Sequence, residues 1–337
     1  MGRSFAAGVL LLGLLTLAGC APTPAVQSVL IPTPTATLLP ASSVTDTALP
    51  PIPTPTNRPS STLILTSTPT ITPTPTPAVV RFAVIGDYGT GDESAQRVAD
   101  LVLGWQPDLL LTVGDNNYPL GATETIDDHI GRFYQGFISP YPGAYGPGAE
   151  SNRFFPALGN HDLYTAQGQA YFEYFALPGN ERYYDYVWGP VHFFCLNSVD
   201  SEPDGVGRSS AQAAWLQEQM ALSTSPWQVV YFHLPPYSSG YHGSVDWMRW
   251  PFAAWGADVV LTGHDHLYER LEVDGIPYLV NGLGGGPIYP FLVILPESRV
   301  RYNATHGALL VTASEESMRF QFITDTGEVV DQFELSH

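Results

Sequence analysis

From residue 79 onward the chain repeats one pattern: a short apolar run stops abruptly on a cluster of small and polar residues. Val79–Ile85 runs into Gly86-Asp87-Tyr88-Gly89, and Leu109–Val113 into Gly114-Asp115-Asn116-Asn117-Tyr118. Phe154–Leu158 leads to Gly159-Asn160-His161-Asp162, Trp227–Phe232 to His233, and Asp258–Thr262 to Gly263-His264-Asp265-His266. Runs of this length and composition predict strands. After the first, Asp92 is a good helix N-cap, and Ala95, Val98, Ala99 and Val102 follow the i, i+3, i+4, i+7 spacing of a buried helix face. Ile276–Asn281 predicts a further strand, and Gly307–Thr312, Met318–Ile323 and Val329–Leu335 are expected to complete a second sheet. In α/β sheets ligands sit at the carboxyl edge of the strands, which is where all five polar clusters fall.

The first 78 residues read differently. Arg3 precedes an apolar run from Phe5 to Leu17 that ends Leu17-Ala18-Gly19-Cys20. The run is the length of a signal-peptide core and short for a spanning helix, which needs roughly 20 residues. Its end resembles the bacterial lipobox, so residues 1–20 are expected to be a lipoprotein signal, with Cys20 acylated and the mature protein held at an extracytoplasmic membrane surface. An ordinary secretory signal with an incidental Cys is the alternative. Residues 21–78 contain 14 Pro and 15 Thr. Such a segment lacks the apolar periodicity for a helix or sheet and reads as an extended tether of up to about 180 Å, at roughly 3.1 Å per residue. Residues 79–337 are then the folded part.

Charge and composition narrow the partners. All 13 basic residues of the 337-residue chain are Arg, and against 32 acidic residues they leave a formal charge of −19. Neither a basic nucleic-acid stripe nor a polybasic membrane patch can be built, so nucleic acid is not an expected partner. The two cysteines, Cys20 and Cys195, exclude a disulfide framework and a thiolate zinc site. Cys195 lies in the apolar run Val191–Leu196 and reads as buried and inert.

The polar clusters supply carboxylate, phenol, amide and imidazole donors and no thiolate, a set that suits Fe, Zn or Mn. The donors are too many for one ion and about right for two, and a carboxylate can bridge ions about 3.5–4 Å apart, the arrangement used for in-line displacement at phosphorus.

Taken together, Asp87-Tyr88-Gly89, Gly114 to Tyr118, Gly159 to Asp162, Val230-Tyr231-Phe232-His233 and Gly263 to His266 resemble, in order, the motifs of a metallophosphoesterase of the purple acid phosphatase type, within the calcineurin-like superfamily. The match spans residues 87–266. Commoner metallophosphoesterases have D-x-H in the first motif; Gly89 in that place and the presence of Tyr118 favour the purple branch. The resemblance implies an α/β fold, a four-layer α/β/β/α sandwich of two mixed sheets flanked by helices. It implies that Asp87, Asp115, Tyr118 and His266 hold a ferric ion, and that Asp115, Asn160, His233 and His264 hold a divalent ion, Fe, Zn or Mn, with Asp115 bridging. It places His161 beside the site, contacting phosphate or protonating the leaving oxygen. His242, nine residues after His233, stands where the family has another catalytic His, while the further His of plant members is replaced by Gly243. The implied reaction is hydrolysis of small phosphate esters, releasing orthophosphate, by direct attack of a metal-held hydroxide. A phosphodiesterase or nucleotide pyrophosphatase on the same site, and a non-catalytic surface binding module, are the alternatives.

The remaining features have plainer readings. His192 lies mid-strand and is expected to be structural, and Tyr171–Phe175 to be helix packing. The run Gly282-Leu283-Gly284-Gly285-Gly286 lacks the Lys and Ser/Thr of a nucleotide phosphate loop and reads as a turn that could line the pocket. The loop 141–148 and the stretch Tyr237–Tyr241 are candidates for the pocket mouth.

Overall fold

The computed structural model describes residues 79–337; the signal segment, Cys20 and the Pro/Thr-rich stretch lie outside the described residues. In chain order the strands are β1 (Val79–Ile85), β2 (Leu109–Thr112), β3 (Phe154–Pro156), β4 (Tyr184–Trp188), β5 (Val191–Cys195), β6 (Trp227–Tyr231), β7 (Val259–Thr262), β8 (Tyr268–Val273), β9 (Ile276–Asn281), β10 (Ser298–Tyr302), β11 (Gly307–Ser314), β12 (Ser317–Thr324) and β13 (Val329–Ser336). They form a six-stranded sheet in the order β13-β12-β11-β1-β2-β3 and a seven-stranded sheet in the order β10-β8-β9-β7-β6-β5-β4. Both are mixed. β1, β2 and β3 run parallel in the first sheet, and β5, β6, β7 and β9 in the second, with antiparallel strands filling the flanks.

The last three strands do not complete the second sheet, as the sequence led us to expect. β11 pairs antiparallel with β1 from Val79↔Ser314 to Val84↔Leu309, and β12 and β13 follow it outward, so all three belong to the first sheet. Ala308, Leu309 and Val311 of β11 are fully buried, which suits a strand covered on both faces beside β1.

Three apolar clusters mark the spaces between four layers. The central one interleaves Val80, Phe82 and Val84 of β1 with Val191, Phe193 and Cys195 of β5, and therefore lies between the sheets. The alternate residues of the same strands, Ala83 and Ile85 on one side and Phe194 on the other, face outward into two further clusters covered by helices. The helix Glu93–Gly104 covers the first sheet and buries Ala95, Val98, Ala99 and Val102. Its Asp92 cap accepts from the Ser94 and Ala95 amides at 2.9 and 3.1 Å, a contribution of about 1 kcal/mol. The helix Ala211–Leu222 covers the second sheet and buries Ala213, Leu216 and Met220. The whole is an α/β/β/α sandwich.

Cys195 is enclosed in the central core, where burial pushes its thiol up to about 12. His192 spans Asp185 and Ser223 with its two ring nitrogens, each at 2.9 Å, and is a structural residue of the β4–β5 pair. Tyr171, Tyr174 and Phe175 pack under the helices of the first sheet. The loop 141–148 does not reach the pocket mouth through its hydrogen bonds. Tyr141 Oη donates to Asp127 at 2.6 Å and the Ala144 amide at 2.9 Å, because the Asp127 carboxylate draws both donors to itself.

Candidate metal centre

Each of the five polar clusters leaves the carboxyl end of a parallel strand, and the two sheets place those ends together. Asp87 follows β1, Asp115 and Tyr118 follow β2, and Asn160 follows β3, opening the helical turn Asn160–Leu163. From the other sheet, His233 follows β6, and His264 and His266 follow β7. Asp87, Asp115 and His264 adopt left-handed backbone conformations, with φ of 56°, 54° and 70°. Non-glycine residues are uncommon there, and such strain concentrates at functional sites. In each case a glycine, Gly86, Gly114 or Gly263, precedes the strained residue and lets the chain turn sharply off the strand. At Gly114 (φ 93°) a Cβ would stand 2.6 Å from the His233 ring.

The side chains converge into two overlapping groups. In one, Tyr118 Oη lies 3.3 Å from Asp87, 3.0 Å from Asp115 Oδ2 and 3.0 Å from His266 Nε2, and His266 Nε2 is 3.4 Å from Asp87. In the other, His233 Nε2 is 3.3 Å from Asp115 Oδ2, 3.1 Å from Asn160 Oδ1 and 3.2 Å from His264 Nδ1. Donor atoms of Asp115, His233 and His264 all fall within 4.8 Å of one another. Asp115 Oδ2 belongs to both groups. All seven side chains expected to hold metal are therefore brought together.

Partners behind the cluster fix its orientation. His233 Nδ1 donates to the Val113 carbonyl at 2.8 Å and His266 Nδ1 to the Pro287 carbonyl at 2.6 Å, which points each Nε2 inward at the carboxylates. The Asn160 amide donates to Tyr164 Oη at 2.8 Å, turning its oxygen toward His233. Asp162 ties the β2 and β3 ends together by accepting from the Asn116, Asn117 and Gly159 amides at 2.8 to 3.1 Å.

The electrostatics call for cations. Burial alone would raise the Asp115 carboxyl, but the His233 imidazole and then His161 outweigh it and hold Asp115 well below the usual carboxylate range. Burial pulls His233 down, yet Asp115 overrides it and lifts the ring to about 9. His264, deprived of solvent and facing a charged His233, is pushed down to about 2. Burial, then Asp115 and Asp87, push the Tyr118 phenol well above its ordinary value. Among the described residues no arginine forms an ion pair with any of these groups. Two buried carboxylates, a phenol, an amide oxygen and three imidazoles with no arginine among them fit a pair of metal ions, whose charge would reverse the shifts that disfavour the phenolate.

Both candidate proton-transfer histidines stand at this site. His161 Nδ1 donates to the Pro119 carbonyl at 2.6 Å, its ring meets Tyr118 edge-on at 4.6 Å between centroids, and its backbone amide donates to Asp115. His242 is exposed and lies over His264, with ring centroids 4.4 Å apart. The glycine run also touches the site: a Cβ on Gly286 would stand 2.7 Å from the His266 ring. Sequence reasoning missed Tyr289, which stacks on His266 at 4.2 Å and 8° and meets His242 at 5.3 Å. It missed Asp265 as well, a buried carboxylate that accepts from the His242 amide at 2.8 Å and the Ser238 hydroxyl at 2.5 Å and so holds the loop carrying His242.

Fold and site together define a phosphoesterase class, and a sequence profile agrees: that of the family described as Calcineurin-like phosphoesterase matches residues 80–268. The chain belongs to that family. Among curated proteins it is 28% identical over 254 residues to purple acid phosphatase 15 of Arabidopsis thaliana, covering 61% of this chain and 45% of that protein. It is 25% identical over 249 residues to tartrate-resistant acid phosphatase type 5 of Mus musculus, covering 63% and 73%. The purple acid phosphatase from yellow lupin seeds superposes with a TM-score of 0.62 at 18% identity, over 77% of this chain and 54% of that one. GAP50, the anchor in the inner membrane complex of Plasmodium, superposes with a TM-score of 0.59 at 16% identity, over 77% and 89%. At these identities the two structures show the shared fold alone. The chain spans about half the length of the plant relatives it matches.

Proposed function

We propose that this chain is a phosphomonoesterase of the acid phosphatase type, hydrolysing small phosphate esters to an alcohol and orthophosphate at a two-metal site. One observation carries the reading: Asp115 Oδ2 lies within 3.0 Å of Tyr118 and 3.3 Å of His233, a single carboxylate oxygen common to two donor groups. Asp87, Tyr118 and His266 with Asp115 would hold a ferric ion, and Asn160, His233 and His264 with Asp115 a divalent Fe, Zn or Mn. Bound there, the ions would supply Lewis acidity, offsetting phosphoryl charge and acidifying water. The protein's own contribution is position and proton transfer. His161, fixed through Nδ1 to Pro119, presents Nε2 to the ester; His242, fixed through its backbone to Asp265, stands on the His264 side. From either place an imidazolium would be positioned to protonate the departing alkoxide. Relatives named purple acid phosphatases, and Tyr118 in contact with Asp87 and His266, support the iron-binding branch. The lipobox-like end at Cys20 and the Pro/Thr-rich stretch that follows support tethering to an extracytoplasmic surface.

Metal analysis with an optical spectrum, together with turnover of p-nitrophenyl phosphate against bis-p-nitrophenyl phosphate, tests the proposal. The monoester should be the faster substrate, and the metal-loaded protein should absorb in the visible. Tyr118→Phe is expected to lose that band; an unchanged spectrum would take Tyr118 off the iron. Preference for the diester would make the chain a phosphodiesterase, and no hydrolysis by fully metallated protein across pH 4–9 would make it a binding module.

A further inference from the structure

A cleft of about 450 Å³ opens directly at Asn160 and His264, on the side of the site where the divalent ion would lie. Its walls are Leu163, Tyr164, Val199, Leu234, Val245 and Trp247. Two of the aromatics that line or border it present surface to solvent, Tyr164 at 57% and Trp247 at 41% exposure. Neither is loose. Trp247 Nε1 donates to the Ser198 carbonyl at 3.0 Å, and Tyr164 Oη accepts from the Asn160 amide at 2.8 Å. The two rings are held in place with apolar surface free, beside the point where an ester's organic part would project.

The cleft offers nothing for a second phosphate. No arginine lines it, and Asp200 does. Arg182, in the adjoining cavity that shares Leu163 and Ser201 with the cleft, is already engaged by Glu202 at 3.0 Å and Asp204 at 2.5 Å. We infer that this cleft is the leaving-group subsite, and that it selects monophosphate esters of uncharged, ring-bearing alcohols over small alkyl esters and over substrates whose leaving group carries further phosphates. Trp247 is its specificity-determining residue. The inference rests on the phosphomonoesterase reading and narrows its substrate class. A ring stacked on Trp247 removes apolar surface from water on both partners, enough for about a tenfold preference.

Benzyl and ethyl phosphate test it, because their leaving alcohols are similar in acidity and differ in the ring. Benzylphosphonate and ethylphosphonate, which are not hydrolysed, give the same comparison by calorimetric titration. Full-length metal-loaded protein should favour the benzyl compound about tenfold in both KM and Kd. Trp247→Ala should bring both ratios close to one, and Trp247→Phe should restore most of the preference, which a general loss of structure would not do. Pyrophosphate should be a poor substrate beside benzyl phosphate. Equal handling of benzyl and ethyl compounds by the unmodified protein, or a ratio untouched in Trp247→Ala, would overturn the subsite while leaving the phosphatase standing. Failure to hydrolyse either ester would instead overturn the phosphatase, and the subsite with it.

Discussion

Asp115→Ala is expected to lower the turnover of p-nitrophenyl phosphate by about four orders of magnitude, the scale of losing several kcal/mol of metal-borne stabilisation. The side chain is the only one placed in both donor groups, touching Tyr118 on one side and His233 on the other. It also accepts from the His161 amide at 2.9 Å, so its loss would free His161, the proposed proton donor, as well as the metals it would hold. Elemental analysis separates these effects. The variant should retain little of either metal, whereas His161→Ala should keep both. Full metal occupancy in Asp115→Ala would contradict the bridging role.

The second large effect comes from a residue with no side chain. A Cβ on Gly89 would stand 2.1 Å from the Asn116 carbonyl carbon and oxygen and 2.4 Å from the Asn117 nitrogen, all backbone atoms that cannot swing aside. Gly89 is also paired to the next segment of the site, donating to the Asp115 carbonyl at 3.3 Å and accepting from the Tyr118 amide at 2.8 Å. Gly89→Ala must therefore displace the turn that carries Asp115 and Tyr118. Overpacking of this kind costs about 1–3 kcal/mol, and in a domain of this size should lower Tm by about 3–10 °C. A displacement near 1 Å should cost about a hundredfold in kcat/KM. Melting and kinetics of the one variant check both, and an alanine with unchanged Tm and activity would show slack that the close approach does not reveal. With this backbone a larger side chain at 89, a histidine included, has no room.

The site was legible in the sequence because its residues stand next to strand ends, where a short apolar run stops and, in most cases, a glycine punctuates the chain. Asp87, Asp115, Asn160 and His264 carry that local signature in full, and His233 ends an apolar run without the glycine. Tyr289 carries none: it reaches His266 only because the glycine-rich segment after β9 folds back over the cluster. Asp265 sits between His264 and His266, and nothing in its neighbours says that its carboxylate turns away to grip the 238–243 loop. The helix Glu93–Gly104 was predictable from four small apolar residues in register. The helix Ala211–Leu222 was not, since one of its buried positions is Gln212, which bonds the Asn197 backbone in both directions and breaks the apolar stripe. Sheet membership of β11–β13 was misjudged for a related reason. Alternation within a strand says which faces are covered, and pairing partners 225 to 235 residues away are settled by which edge is free.

Asp87, Asp115, Tyr118 and Asn160 are carried by one sheet, and His233, His264 and His266 by the other. A cation pair held by all of them is a rivet driven through the seam of the sandwich. Ions that bind only the assembled form add to its stability by mass action, about 2.7 kcal/mol at a hundred times the dissociation constant. Chelation should therefore loosen the fastening of the two halves as well as silence the chemistry, so that the melting temperature tracks free metal. The chain would then lose shape and activity together whenever its surroundings ran short of the metal.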